Sequence, residues 1–230
     1  DEFNGGKDLL ADDIDEDDLQ SLLIQQIEFC TTVVLNKVDR VTRAQVDELR
    51  EIIRSLQSDA VIVEATQGDV PMDQLLDTDR FDFERAYNSA SWLDAMAHPE
   101  EHEDPEVLEY GISTFVYERR RPFDIDKFSD FVTTWPQEVI RAKGQLWVAQ
   151  DPDMGFLFEQ AGRQTTLSER GLFIDSAPED TKRQLIADNP EVMGDWDDVC
   201  GDRETRVCFI GRHMDTEALA DGLDACLTEW

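Results

Sequence analysis

Residues 32–39 read Thr32-Val33-Val34-Leu35-Asn36-Lys37-Val38-Asp39, and this stretch decides the fold of the first part of the chain. Its first four residues are apolar or β-branched, which is typical of a strand buried in a parallel sheet. A polar segment follows directly, from Asn36 to Asp39. The stretch therefore predicts a buried strand that ends in a polar motif.

The segments around this strand predict a parallel α/β unit, because strands and helices alternate with short loops between them. The second helix carries a clear start signal, since Thr42 is followed three residues later by Gln45 and the two form a capping box. In order, the elements are a helix at 15–29, the strand at 32–35, a helix at 42–56, a strand at 60–64, its exit loop at 65–68 and a short helix at 72–76.

After residue 110 the pattern changes, and strands outnumber helices. The predicted elements are a strand at 112–118, a helix at 125–133, strands near 138–149, 154–160 and 163–174, a helix at 179–187, a strand at 206–210 and a helix at 216–227. Loops of hairpin length join the middle three strands, so we expect an antiparallel sheet covered by helices. We predict an α/β unit at 1–80, a linker at 81–109 and an α+β domain of ferredoxin-like character at 110–230.

The charge balance limits the possible partners. The chain has 21 Lys and Arg residues against 53 Asp and Glu residues, a formal net charge of −32. Such a charge repels nucleic acid and anionic membranes, and no basic cluster is large enough to follow a phosphate backbone. We interpret the dispersed acid as a solvated surface, either of a halophilic protein in a high-salt cytoplasm or of an ordinary acidic cytosolic protein.

The cysteines indicate a reducing compartment, because they show neither C-x-x-C pairing nor a regular disulfide framework. They are Cys30, Cys200, Cys208 and Cys226. No apolar run approaches the length that spans a bilayer, and the first residues lack the pattern of a signal peptide. We therefore expect free thiols and a cytoplasmic location.

The polar motif Asn36-Lys37-x-Asp39 has the residue types of a guanine-binding element. A carboxylate such as Asp39 can accept two hydrogen bonds from the N1 and N2 donors of guanine, a pair that adenine does not offer. The motif resembles the guanine-specificity element of G proteins, in which the Asn amide bonds the base and braces neighbouring loops and the Lys stem lies along the base plane; the resemblance implies these roles for Asn36 and Lys37. It also implies that Ala65, at the end of the next strand, donates its backbone N–H to guanine O6. The alternative is an ordinary Asn/Asp turn after a strand.

Other segments of the chain also resemble a known family, the CobW-type GTPases. Their corresponding run is similar to residues 26–29 (Gln-Ile-Glu-Phe) and 33–39 of this chain. Short recurring motifs of their C-terminal domain are similar to residues 120–123, 141–144 and 209–212. The resemblance implies a partial P-loop GTPase-like sheet followed by the CobW C-terminal domain. It also implies GTP with Mg²⁺ as the bound nucleotide. It further implies a transition metal, often zinc, that is delivered to a client protein or cofactor pathway.

The sequence also departs from that family. No G-x-x-x-x-G-K-[ST] segment occurs, so the chain has no P-loop Lys for the phosphates and no Ser or Thr for Mg²⁺. The family's C-x-C-C metal motif is absent too. We therefore expect the chain to be a fragment or cleavage product that does not hydrolyse GTP by itself. The rival hypothesis is a non-catalytic interaction module whose nucleotide motif is vestigial.

Three weaker candidates remain, and we assign no metal ligand from them. His98 and His102 could hold zinc loosely or belong to a solvated acidic linker. Cys200 and Cys208 could approach His213, but buried thiols explain them better. The basic residues could anchor the C-terminal domain to its own G domain or to a client, or form cross-strand ion pairs. They are Arg119, Arg120, Arg121, Arg141 and Lys143.

We predict that salt stabilises the chain, because screening relieves repulsion among its carboxylates within about 3 Å at molar concentrations. The thermal midpoint should rise from low salt to about 2 M KCl, and KCl should exceed sucrose, which acts without screening. Differential scanning fluorimetry measures both series. A flat or falling midpoint in KCl would reject the repulsion argument and the high-salt cytoplasm inferred from it.

Overall fold

The computed structural model describes residues 16–82, Trp92, Ala95 and residues 109–229. Its first unit confirms the predicted alternation of helices and strands. The elements are α1 (Glu16–Glu28), β1 (Thr32–Asn36), α2 (Arg43–Leu56) and β2 (Val61–Ala65), followed by a 3₁₀ turn at Met72–Gln74. The two strands are parallel, and their register pairs Asn36 with Ala65.

The start of α2 has the predicted chemistry. The Thr42 side chain accepts a hydrogen bond from the backbone N–H of Gln45, and the Gln45 side chain accepts one from the backbone N–H of Thr42. This capping box satisfies two donors that the helix itself leaves open. The apolar face of α2 buries Val46 near its start and Ile53 and Leu56 near its end, while Leu49 between them is exposed. Helix α2 therefore begins within a few residues of Asp39 and is fixed against the rest of the protein.

The second unit confirms the predicted α+β arrangement. Its elements are β3 (Ile112–Arg119), α3 (Ile125–Thr133), β4 (Val139–Val148), β5 (Asp151–Ala161), β6 (Gln164–Leu172), α4 (Glu179–Asp188), β7 (Thr205–Arg212) and α5 (Thr216–Asp224). The strands form one antiparallel sheet in the order β3-β7-β4-β5-β6. Since β7 is antiparallel to both β3 and β4, those two strands run the same way, and β3-α3-β4 is a split β-α-β unit.

One face of this sheet carries an aromatic core beneath α3 and α5. Phe128 of α3 stacks on Phe123, with ring centroids 5.2 Å apart, and meets Phe158 of β5 edge-on at 5.1 Å. Trp135 packs between Phe158 and Phe209 at 5.4 and 6.0 Å. Offset and edge-on aromatic pairs of this kind stabilise a core beyond the area that they bury.

The opposite face of the sheet packs against the first unit. Its cluster combines residues of α1 and α2 with residues of β3, β5 and β7, and it includes Trp92 and Ala95. The buried members are Ile24, Leu56, Trp92, Ala95, Val116, Ala161, Cys208 and Ile210. The antiparallel sheet therefore lies between its own helices and the helices of the parallel unit.

Element limits differ from the predictions mainly at the ends. Strand β5 starts three residues earlier than expected, and the last helix ends at Asp224 instead of residue 227. His98 and His102 lie outside the described residues. In the described ranges, the helices are too short and too polar to span a bilayer. The division at 80 and 109 stays a prediction.

Two glycines of the sheet give a test of its packing. A Cβ on Gly144 of β4 would stand 2.1 Å from the carbonyl oxygen of Arg206, whereas one on Gly155 of β5 would meet its nearest atom at 3.4 Å. Gly144→Ala should therefore lower the free energy of unfolding by about 3 kcal/mol, as overpacking does. Gly155→Ala should stay within about 1 kcal/mol. Urea unfolding measures both, and equal effects would contradict this packing of β4 against β7.

Candidate functional site

The predicted site residues meet at the carboxyl ends of the two parallel strands. Asn36 is the last residue of β1 and Ala65 the last of β2, and they are register partners. Both strands therefore end at one edge of the sheet, where ligand sites of parallel α/β sheets lie. Lys37 and Asp39 follow in the loop after β1, and both side chains are exposed. The structure brings all four residues to this edge.

Asn36 links the two loops at this edge. Its Oδ1 accepts hydrogen bonds from the backbone N–H of Lys37 at 2.9 Å and from that of Gly68 at 3.0 Å. Gly68 lies in the loop after β2, so a single side-chain oxygen bridges segments 32 residues apart. Both bonds use the oxygen, which leaves the amide nitrogen outside this bridge.

The backbone at both strand ends turns through left-handed conformations. Lys37 has φ 63° and ψ 33° and precedes the 3₁₀ turn Val38–Arg40, which carries Asp39. In the other loop, Gln67 and Gly68 have φ values of 55° and 75°. Left-handed backbone is uncommon for residues other than glycine, and such residues concentrate at ligand sites. Gly68 was not predicted as a partner of Asn36. A glycine in the exit loop of a strand was the feature of the sequence that indicated a tight turn there.

Two salt bridges join the end of β2 to α2. Glu64, next to Ala65, accepts hydrogen bonds from Arg43 at 2.7 Å and from Arg50 at 3.1 Å. Ala65 itself is buried, with 3% of its surface exposed, while Thr66 to Gly68 are exposed. A small residue thus ends the strand beneath an open loop.

The other cysteine and histidine candidates do not come together. Cys200 packs with Trp147 and Phe173, whereas Cys208 lies in the cluster between the two units. Burial raises the pKa of the Cys208 thiol well above its usual value. The ring of His213 lies against Gly111. Within residues 16–82 and 109–229, no group of three or more His, Cys, Asp and Glu side chains is arranged to hold a metal ion.

Arg141 and Lys143 each have one of the two predicted roles, whereas Arg119 has neither because its partner lies on a helix. Arg141 anchors the C-terminal unit to the first unit, because its guanidinium bonds both carboxylate oxygens of Glu28, at 2.6 and 3.0 Å. Lys143 pairs with Glu159 of the neighbouring strand. Burial alone would raise the pKa of Glu159, but hydrogen bonds and charge from Lys143 and Arg141 lower it. Arg119 makes a bidentate pair with Asp224 of α5.

Two family descriptions match the chain. Residues 112–227 match the cobalamin synthesis protein cobW C-terminal domain, and residues 7–64 match the CobW/HypB/UreG nucleotide-binding domain. The chain belongs to the CobW family. The second match covers β1 and the Asn36-to-Asp39 motif and ends at Glu64. The CobW resemblance stated from the sequence is thereby confirmed.

Among CobW-family relatives, the zinc-regulated GTPase metalloprotein activator 1 of Dictyostelium discoideum is 31% identical over 226 residues, which cover 96% of this chain and 46% of that protein. Zinc-bound YjiA GTPase from E. coli is 18% identical with a TM-score of 0.39, over 92% of this chain and 57% of that one. A zinc-bound triple mutant of YjiA GTPase is 19% identical with a TM-score of 0.40, and the match covers 89% of this chain and 54% of that one. The chain thus spans about half the length of these relatives.

The Asn36 bridge can be tested without any ligand. Asn36→Ala removes the acceptor for both N–H groups, so residues 66–69 should become more mobile. Asn36→Asp keeps an acceptor oxygen in the same place and should resemble the unmodified chain. NMR order parameters at Gly68 should fall below ~0.6 only in the alanine variant. An unchanged Gly68 in that variant would show that the bridge does not order the loop.

Proposed function

We propose that this chain is the C-terminal portion of a GTP-binding, GTP-hydrolysing metal chaperone that delivers zinc to a client protein or cofactor pathway. The observation that carries the proposal is the bridge from Asn36 to Gly68 at the shared edge of β1 and β2. It sets two loops side by side where one flat base can contact both. The family assignment and the relative named as a zinc-regulated GTPase support the same function.

Each residue has one role in the proposal. Asp39, exposed on its 3₁₀ turn, accepts from N1 and N2 of guanine. Asn36 uses its oxygen for the bridge and its amide nitrogen for the base. The alkyl stem of the exposed Lys37 covers the base plane. The backbone N–H of Ala65 donates to O6. Together these groups distinguish guanine from adenine.

The proposal assigns no phosphate chemistry to this sequence. The 230 residues contain no P-loop Lys and no P-loop Ser or Thr to hold Mg²⁺, the groups that position and neutralise the phosphates in P-loop enzymes. The chain by itself is therefore proposed to bind guanine nucleotides weakly and to leave them intact.

The proposed zinc and client protein rest on the names of the relatives. We also propose a cytoplasmic location and the division 1–80, 81–109 and 110–230.

A second candidate function is a non-catalytic interaction module. The absence of P-loop residues from the sequence favours it, because the chain would then dock a client while the nucleotide motif plays no part. The two functions differ in one measurable property. The module binds no guanine nucleotide, whereas the chaperone portion does.

The first experiment titrates this chain with GTP and with ATP and follows the backbone amides of Ala65 and Gly68 by NMR. GTP should shift both amides with weak affinity, and ATP should shift neither. Phosphate release should stay at the level of a buffer control, because the phosphate and Mg²⁺ ligands are missing. An absence of shifts with GTP would favour the interaction module, and equal shifts with both nucleotides would refute the guanine-specific contacts. Release above the control would refute the proposal of an inactive chain.

The second experiment tests the base contact directly. Asp39→Asn reverses the hydrogen-bond sense at the 2-position of the purine, so the variant should prefer xanthosine triphosphate over GTP by at least about tenfold. Asp69→Asn serves as the control, because Asp69 is also an exposed acid, in the turn after Gly68. An unchanged preference for GTP in Asp39→Asn would show that Asp39 does not contact the base.

A further inference from the structure

We propose that Glu28 and Arg141 are positioning residues for the guanine loop, so that the C-terminal sheet and the nucleotide site are energetically coupled. The guanine loop here means residues 37–42. The inference rests on the proposed function for its ligand, but its structural basis is independent of any nucleotide. It starts from a buried charge pair that the guanine chemistry itself does not use.

The Glu28–Arg141 pair is sealed from water. The side chains expose 1% and 2% of their surfaces. Arg141 donates from Nε and Nη2 to the two carboxylate oxygens of Glu28, at 2.6 and 3.0 Å, and from Nη1 to the carbonyl oxygen of Gln160 at 3.1 Å. Buried charges are tolerated only when their geometry and hydrogen bonds are nearly complete, so this pair holds α1 at a fixed place on β4.

A second bond extends this fixed point to α2. The backbone carbonyl of Glu28 accepts a hydrogen bond from Nε2 of Gln57 at 2.6 Å. Gln57 is fully buried, and it is the residue that ends α2, where its own N–H bonds to Ile53. Glu28 therefore joins three elements at one point: the end of α1, the end of α2 and strand β4.

The guanine loop joins strand β1, which follows α1, to helix α2, which ends at Gln57. Strand β1 starts at Thr32, four residues after Glu28, and leads into the loop after Asn36. Helix α2 starts at Arg43, directly after the loop, and returns to Gln57. The loop is thus the far end of a strand–loop–helix unit that is clamped at its base. Five residues of strand separate the clamp from the site, roughly 16 Å.

This arrangement gives a structural cause for the coupling between the C-terminal sheet and the guanine loop. Replacing Arg141 leaves the Glu28 carboxylate buried without its partner, and the structure responds by moving the end of α1 to hydrate it. That motion shifts the base of β1 relative to α2. By linkage, a nucleotide that needs the loop in its clamped position also favours docking of the C-terminal sheet onto α1.

A ligand-free experiment tests the positioning role. Arg141→Met breaks the pair, and Arg203→Met breaks a comparably buried arginine, 8% exposed, that pairs with Asp175 within the C-terminal unit. Hydrogen exchange at the backbone N–H of Lys37 and Gly68 should accelerate at least about fivefold in Arg141→Met and less than twofold in Arg203→Met. Both variants are compared at the same interval below their thermal midpoints, so that a general loss of stability cancels.

Two further variants keep the test decisive. Arg141→Lys retains the charge but not the bidentate geometry, and it should give an intermediate rate; it replaces Arg141→Met if that variant does not fold. Glu28→Gln keeps the carbonyl bond to Gln57 and leaves Arg141 paired with the Glu159 carboxylate, so it should accelerate exchange less than Arg141→Met does. Equal exchange rates in the Arg141 and Arg203 variants, or unaltered rates in the Arg141 variants, would overturn the proposal.

A nucleotide titration separates this inference from the proposed function. GDP binding to the whole chain should weaken at least about tenfold in Arg141→Met and remain within twofold in Arg203→Met. If the unmodified chain binds GDP and Arg141→Met binds it equally well, the coupling is wrong and the proposed function stands. If the unmodified chain does not bind GDP but exchange accelerates as expected, the loop is positioned by the pair and the guanine function is wrong.

Discussion

The buried ion pair between Glu28 and Arg141 is the constraint on which the rest of the structure depends. Its two carboxylate oxygens and two guanidinium nitrogens meet at 2.6 and 3.0 Å with almost no exposed surface. Separating the pair would leave the buried Glu28 carboxylate without water or a charged partner, although Arg141 would keep the carboxylate of Glu159 at 3.2 Å. The pair therefore fixes the parallel unit and the antiparallel sheet in one relative position, which apolar contacts alone would leave less defined.

Both faces of the central strands of the antiparallel sheet are covered, whereas the edge strand β6 is almost entirely exposed. Helices α3 and α5 pack on one face around stacked Phe123 and Phe128. Helices α1 and α2 pack on the other, around Ile24 and Leu56. An antiparallel sheet often keeps one face in water, with alternating polar residues. Here β7 is instead buried from Thr205 to Gly211, apart from a half-buried Arg206, as expected for a strand between two layers.

Much of the local structure followed from the sequence. The strand at Thr32–Leu35, the capping box at Thr42 and the hairpin-length loops around β5 each depend on neighbouring residues, and each was confirmed. The predicted burial of that strand was wrong: Val34 is exposed and its neighbours in β1 are at most half-buried, because among the described residues only β2 pairs with β1. The CobW resemblance was also correct. The sequence could not show the Asn36–Gly68 bond, because its partners are 32 residues apart and the bond exists only when two strands end together. The guanine roles of Asn36, Lys37, Asp39 and Ala65 stay predictions.

The order of the elements and the motif after β1 could be predicted from the sequence, since periodicity, caps and short-range polar patterns are properties of adjacent residues. Which of the many charges become buried and paired depended on how distant segments pack together. Arg119, Arg141 and Lys143 looked equivalent as basic residues on predicted strands, yet Arg141 alone of these three contacts Glu28, 113 residues away. The reason is physical. The energy of a charge depends on its burial and on its partner, and both are set by packing between elements distant in sequence.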